Sequence, residues 1–164
     1  MPRKQSAGLL LFRRRGNSVE VLLVHPGGPL WARRDEGAWS IPKGELEGAE
    51  DPLGAARREF EEELGSPAPT GEALALEPLR QPSGKVIHAW AIGGDFDPSG
   101  LKSNAFTLEW PPRSGRRQEF PEVDRAAWFP LEHAARKIVQ GQAALLRQLQ
   151  AQLGSSSDAE PGGG

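Results

Sequence analysis

The apolar positions of this chain repeat with two different periods, and each change of period marks an element. From Ala7 to Arg13 and from Val19 to Val24 the apolar residues run almost unbroken: Leu9, Leu10 and Leu11 in the first run, Val21, Leu22, Leu23 and Val24 in the second. Such short runs read as strands, and continuity in place of alternation predicts strands covered on both faces. Gly16-Asn17 between them is a turn signal, so the two runs are expected to pair as a hairpin. The period then lengthens. Between Asp51 and Leu64, the residues Leu53, Ala56, Phe60 and Leu64 recur three and four apart, an apolar stripe that predicts a helix lying on a sheet. Asp51 before Pro52 supplies an N-cap and a first-turn proline, and Gly65 followed by Pro67 supplies a stop.

Further strands are expected at Ala73–Leu79 and Lys85–Ile92, around the turn Pro82-Ser83-Gly84, and at Ala105–Trp110. In the second of these Val86, His88, Trp90 and Ile92 share a face, which reads His88 as a satisfied core histidine. Phe106, Leu108 and Trp110 likewise share a face and leave Glu109 on the other. Pro111–Arg117 reads as a loop, with Arg113, Arg116 and Arg117 and no acid; Ala126–Phe129 reads as a short strand. Pro130 opens a closing helix, Leu131–Val139, broken near Gly141 and resumed over Ala143–Leu153, where Leu145, Leu146, Leu149 and Leu153 form a stripe for the other sheet face. A three-layer α/β/α sandwich is one setting for strands covered on both faces. Residues 1–153 then make a single domain, and the Ser/Gly-rich residues 154–164 are expected to be disordered.

Composition narrows the function. A chain of 164 residues suits one domain, and 37% hydrophobic with 26% charged residues argues against disorder of the whole. The net charge of −2, from 20 basic and 22 acidic residues, offers no global field to polymeric nucleic acid, so any phosphate binding must be local. Without cysteine there are no disulfides, thiolate metal sites or cysteine nucleophiles. Arg3 and Lys4 precede an apolar run that Arg13, Arg14 and Arg15 end too early for a signal peptide, and no run approaches a membrane span. A cytoplasmic protein with no membrane partner is the expectation.

The acidic helix carries the candidate chemistry. Glu59, Glu62 and Glu63 fall within an arc of roughly 100° beside the apolar stripe. They repel one another unless cations intervene; Arg58 can offset Glu62, and Arg57 can offset Glu61. On its own such a helix also reads as a solvated, salt-bridged surface. Oxygen ligands without His or Cys would suit Mg2+, with Mn2+ as a substitute.

The spacing around this helix is more specific. Gly44, five residues, Glu50, seven residues, and then Arg58-Glu59-Phe60-Glu61-Glu62-Glu63-Leu64-Gly65 resembles the signature of the Nudix hydrolases at eight fixed positions. The final position, usually aliphatic, is Ser66. The resemblance implies a Nudix-type α/β/α sandwich with a central mixed β-sheet. It also implies that Glu59, Glu62, Glu63 and the Gly44 carbonyl hold divalent ions, that Arg58 orients a glutamate, that Glu50 is more peripheral and that Glu59 activates water. In that family the metals bridge a diphosphate while water attacks one phosphorus. A further glutamate often precedes an aromatic-bearing strand there; Glu122, ahead of Trp128, is the first choice, with Glu119 and Glu109 behind it. Pro42-Lys43-Gly44 is similar to the lead-in of Nudix enzymes for diadenosine tetraphosphate and diphosphoinositol polyphosphates, which makes Lys43 a phosphate contact.

Other substrate candidates come from the loops. In the Gly/Pro-rich Pro26–Gly37, Trp31 either stacks a base or anchors the loop on the core, and Arg34 is placed to meet phosphate. Arg113 and Arg116 would suit additional phosphates. His25, at a strand end, reads as structural. Tyrosine is absent, so Trp31, Trp39 and Phe106 are the stacking candidates. The expected activity is pyrophosphohydrolysis of a phosphate-rich small molecule, most readily a dinucleoside polyphosphate, by a monomer or homodimer. The alternatives are nucleoside triphosphates, ADP-ribose or diphosphoinositol polyphosphates, or a module that binds nucleotide without cleaving it.

Overall fold

The expected hairpin forms. In a computed structural model, which describes residues 4–159, β1 (Gln5–Arg15) turns at Gly16, φ 60°, into β2 (Ser18–Pro26). The two strands pair directly only from Phe12↔Val21 to Arg15↔Ser18. Deeper in the molecule a separate segment is wedged between them. Ser40 exchanges backbone hydrogen bonds with Val24 at 2.8 and 2.9 Å, the Leu9 amide donates to the Pro42 carbonyl at 3.2 Å, and β3 (Lys43–Glu45) pairs antiparallel with Ser6–Gly8. Gly8 makes the wedge possible, because a Cβ there would sit 2.6 Å from the Pro42 oxygen and 2.7 Å from the Lys43 Cβ. No local pattern in Lys43-Gly44-Glu45 announces a strand; pairing with β1 creates it.

The full sheet has seven strands along the path β4 (Ala73–Ala75), β6 (Val86–Gly93), β1, β2, β9 (Val123–Pro130), with β3 on β1 and β5 (Leu79–Arg80) on β6. β1 and β6 run parallel from Gln5↔Val86 to Phe12↔Gly93 while the other pairs are antiparallel, so the sheet is mixed. The single strand expected over Ala73–Leu79 is split at Leu76-Glu77-Pro78, where proline lacks the amide a ladder needs. A second, two-stranded ribbon joins β7 (Ala105–Glu109) to β8 (Arg117–Pro121). Polar Arg117-Gln118-Glu119 concealed β8 from pattern reading.

Consecutive residues of β1 and β2 point into two different cores. Leu9, Leu11, Leu22 and Val24 pack with Ala55, Ala56, Phe60 and Leu64 of α1 (Pro52–Leu64). Leu10, Val21 and Leu23 pack with Trp39, Ile41, Ala134 of α2 (Leu131–Lys137), and Leu145 and Leu149 of α3 (Ala143–Ala159). The unbroken apolar runs thus serve a three-layer sandwich, as expected. Helix α1 is capped at both ends: the Asp51 carboxylate accepts from the Gly54 amide at 3.0 Å, and Gly65, φ 83°, closes it through the Glu61 carbonyl. Helix α3 continues past Leu153, and the tail residues 160–164 lie outside the described residues. Among the described residues no helix is long and apolar enough to cross a membrane.

Gln142 ties the wedge to the far helical layer. Only 1% exposed, it accepts the Ile41 amide on Oε1 at 3.0 Å and donates from Nε2 to Ser40 Oγ at 3.0 Å. Gln142→Ala would strand the Ile41 amide in the core, at an expected cost of about 1–3 kcal/mol. Urea unfolding would register this as a lower midpoint with an unchanged slope; an unaltered midpoint would show that the wedge holds without it.

Candidate active site

Arg58 organises the acidic face of α1. Its Nε donates to Glu50 Oε2 at 2.8 Å and Nη2 to Glu50 Oε1 at 3.0 Å, a two-pronged pair that fixes the guanidinium plane. Nη1 then reaches Glu59 Oε1 at 3.0 Å and both Glu62 oxygens at 3.2 Å. Glu50 therefore belongs to the site as the anchor of Arg58, and the hydrogen bonds to it hold its carboxyl below the usual carboxylate range. These bonds, in turn, raise the Arg58 pKa.

Gly44 is the second organiser. A Cβ at this position would lie 2.0 Å from Glu59 Cδ, so the missing side chain is the space the Glu59 carboxylate occupies against the β3 backbone. Burial raises the proton affinity of Glu59, an effect Arg58 opposes and Glu62 and Glu122 reinforce. Glu63 is pushed further, up to about 8, by burial first and then by the charges of Glu59 and Glu122 against the partial relief of Lys43. Lys43 is itself lowered by burial and by Lys85.

Of the three candidates for an additional glutamate, the fold brings only Glu122 to this group. The Glu122 amide donates to the Asn104 carbonyl at 2.7 Å and its carbonyl accepts from Gly27 at 2.9 Å, which pins it where β9 enters the sheet. The register shift between His25 and Pro26 accommodates that entry. Glu109 instead accepts the Gly115 amide at 2.8 Å at the hairpin tip, and Glu119 is exposed on β8 opposite Thr107.

Two cavities open beside the carboxylates. One, of about 420 Å3, is bordered by Trp31, Lys43, Glu63, Gln81, Lys85 and Glu122. The other, of about 450 Å3, is an apolar slot between Pro29, Leu30 and Trp31 on one side and Phe106 and Leu108 on the other. They share Pro26, Trp31 and Glu122. Trp31 packs on the core, as its anchoring reading expects, and also walls both cavities. Arg34 is exposed, with its guanidinium 5.5 Å over the Trp31 ring.

Other sequence candidates lie elsewhere. Arg113 and Arg116 stand at the tip of the β7–β8 ribbon, about 15 Å along the strands from Asn104, and border neither cavity. Trp39 is only 4% exposed; its Nε1 donates to Asp35 Oδ1 at 2.8 Å and it meets Phe129 edge-on, so it is a core anchor and not a stacking surface. His25 is fully buried, with Nδ1 2.8 Å from Asp124 Oδ1 and Nε2 2.6 Å from the Arg34 carbonyl, a structural role as read. His88 is half-buried at the start of β6 and meets Gln5 Oε1 at 2.9 Å, outside the core expected for it. Lys85 and Leu108 were missed. Their only sequence signals, a lysine after a turn and an apolar position in a strand, become informative when β6 is placed beside β1 and the ribbon beside Pro26–Trp31.

The donor set fits a hard divalent cation. Gly44, Glu59, Glu62 and Glu63 offer oxygen alone, and Glu63, held up to about 8 by burial first, also faces the charges of Glu59 and Glu122. As the side chains stand, no three acidic or histidine residues among the described residues converge tightly enough to form a cage. Arg58 Nη1 is shared between the two Glu62 oxygens at 3.2 Å, which leaves each of them capacity for a further partner.

The family model of the NUDIX domain matches residues 2–149. This chain belongs to the Nudix family. Among curated proteins it is similar to an 8-oxo-(d)GTP phosphatase of Mycolicibacterium smegmatis, 32% identical over 71% of this chain and 29% of that protein. It is also similar to an octanoyltransferase of Myxococcus xanthus, 29% identical over 84% of this chain and 34% of that protein. The chain thus spans about a third of the length of these relatives. Among solved structures, an Ap4A hydrolase of C. elegans in a binary complex superposes with a TM-score of 0.64, at 24% identity, over 92% of this chain and 98% of that one. The mixed sheet between helical layers is accordingly the Nudix fold, and the end of the wedge, Gly44-Glu45, and the acidic helix lie within Gly44–Gly65, the stretch whose spacing resembles the family's signature.

Proposed function

We propose that this Nudix domain hydrolyses a diphosphate bond in a nucleoside diphosphate linked to another group, with Mg2+ as cofactor and a dinucleoside polyphosphate as the preferred substrate class. The observation that carries the reading is the gathering of Gly44, Glu59, Glu63 and Glu122 from three separate parts of the chain, with Glu63, Glu122 and Lys43 bordering one cavity. Held by the Gly44, Glu59, Glu62 and Glu63 oxygens, the ion would neutralise phosphate charge and acidify bound water.

The chain's own groups have separable tasks. Arg58, fixed by Glu50, keeps Glu59 aimed at Gly44. Glu59, whose proton affinity is raised above that of an ordinary carboxylate, is suited to take the proton of the attacking water, with Glu122 as a second acceptor close by. The Lys43 ammonium stabilises charge that builds on the departing phosphate. Trp31 and the slot it shares with Phe106 hold the ring of a nucleotide out of water. The structural likeness to an Ap4A hydrolase supports the fold this needs. The 8-oxo-(d)GTP phosphatase relative favours a second reading, the same chemistry on a nucleoside triphosphate.

The test is release of nucleotide or phosphate from diadenosine polyphosphates, nucleoside triphosphates, ADP-ribose and diphosphoinositol polyphosphates, with Mg2+ and then with EDTA. Turnover of one class, lost in EDTA, is the expected result. Silence across the panel with nucleotide binding intact would replace the hydrolase with a sensing module.

A further inference from the structure

We propose that His25 is a positioning residue: doubly protonated between the Asp124 carboxylate and the Arg34 carbonyl, it locks the turn that presents Trp31 and so sets how tightly a nucleotide ring is held. This rests on reading the Trp31 cavities as the nucleotide site. His25 lies fully buried near the end of β2, with Nδ1 2.8 Å from Asp124 Oδ1 and Nε2 2.6 Å from the Arg34 carbonyl oxygen. A carbonyl and a carboxylate only accept hydrogen bonds, so both ring nitrogens must donate. Either neutral tautomer would set a ring lone pair against one of these oxygens. The ring is therefore an imidazolium, and Asp124 is the counter-charge that offsets its burial. From β9 the pair is also faced by Arg125, whose exposed side chain brings Nε within 3.6 Å of Asp124 Oδ1. Trp39 meets the imidazole edge-on at 5.1 Å and donates its own N–H to Asp35, the partner of Lys137.

From His25 the constraint reaches Trp31 by two routes, both through Arg34. The Arg34 amide donates to the Trp31 carbonyl at 2.9 Å, and the Trp31 amide donates in turn to the Gly28 carbonyl at 3.3 Å. The Arg34 guanidinium, besides, lies 5.5 Å over the Trp31 ring. Gly28, φ 94°, abuts the far wall of the apolar slot, since a Cβ there would lie 2.9 Å from Phe106 Cζ. Little else holds this turn. Residues 32–37 are exposed, so apolar burial contributes little to their order and the bond from His25 to Arg34 carries more of it. The loop is thus tied to the entry of β9 twice, by the Gly27 amide on the Glu122 carbonyl at 2.9 Å and by the charged His25–Asp124 pair.

Asp124→Asn tests the charge, because the amide keeps the shape of a partly exposed side chain and can still accept from Nδ1. His25→Gln removes the ring; should it not fold, Asp124→Asn decides alone. Long-range 1H–15N spectra under assay conditions should show protons on both His25 ring nitrogens of the wild type, and a proton on only one would overturn the proposal. Amide exchange at Trp31 and Arg34 should quicken about tenfold or more in the variants while that of α1 stays as in the parent. KM for the nucleotide substrate, and Kd for ADP measured by calorimetry in EDTA, should rise about tenfold or more with kcat changed much less. Faster exchange throughout the molecule, unchanged exchange at Trp31, or a loosened Trp31 with unchanged KM and Kd would each overturn the proposal. A wild type that binds ADP without turning over any substrate would fail the hydrolase reading, while a weakened Kd in the variants upheld the role of His25. Turnover with KM and Kd indifferent to both variants would do the reverse, and a wild type that neither binds nor cleaves nucleotide would overturn both.

Discussion

Glu63→Gln is expected to lower kcat by about 10^2–10^3-fold while leaving the metal-free protein as stable as the parent or more so. The two effects share one cause, the burial of this carboxylate beside Glu59 and Glu122, which lifts its pKa to about 8. An unfolded glutamate titrates at about 4.3. Between these values the folded protein holds a proton that the unfolded chain has lost, so folding is favoured at low pH by this group. That contribution is fully present below the ordinary glutamate range and disappears as pH rises through about 8. Thermal melts in EDTA from pH 5.5 to 9 should therefore show the wild type losing stability toward high pH more steeply than Glu63→Gln. Mg2+ should restore the wild type by replacing the proton with a cation, and do much less for the variant. Parallel pH profiles would refute the account. Glu62→Gln should lose activity similarly, since it removes a charged oxygen donor from the same face of the acidic helix.

Gly44→Ala should be nearly as damaging to catalysis although it adds one methyl group. The new Cβ would fall 2.0 Å from Glu59 Cδ and 2.2 and 2.3 Å from its oxygens. Gly44 is not among the glycines with positive φ, so the backbone accepts alanine, and the clashing atoms are the end of a flexible side chain. The carboxylate moves and the fold stays. The expectation is a loss of 100-fold or more in kcat with a change in stability within about 1 kcal/mol. Gly8→Ala provides the contrast, because its Cβ would meet the Pro42 carbonyl oxygen, a backbone atom, at 2.6 Å. That variant should lose stability first and activity as a consequence. If Gly44→Ala instead unfolds the protein, the glycine serves the sheet and not the glutamate.

The sequence alone determined the elements whose signals are local. The hairpin around Gly16-Asn17, the capped helix ending at Gly65 and the two-faced burial of β1 and β2 follow from turn chemistry, capping and apolar period, each set by neighbouring residues. The Nudix signature was legible for the same reason: its glutamates sit on one helix at fixed spacing. Tertiary structure decided everything that depends on which strands lie side by side. It made a strand of Lys43-Gly44-Glu45 by pairing it with β1, brought Glu122 near Glu59 and Glu63 while leaving Glu119 and Glu109 on the ribbon, withdrew Trp39 into the core, and carried Arg113 and Arg116 to the far end of that ribbon. It also brought Lys85 to Lys43 across 42 positions of sequence. Periodicity and capping act over one or two turns of chain, whereas a site assembled across strand pairings is fixed by long-range register, which no local pattern encodes.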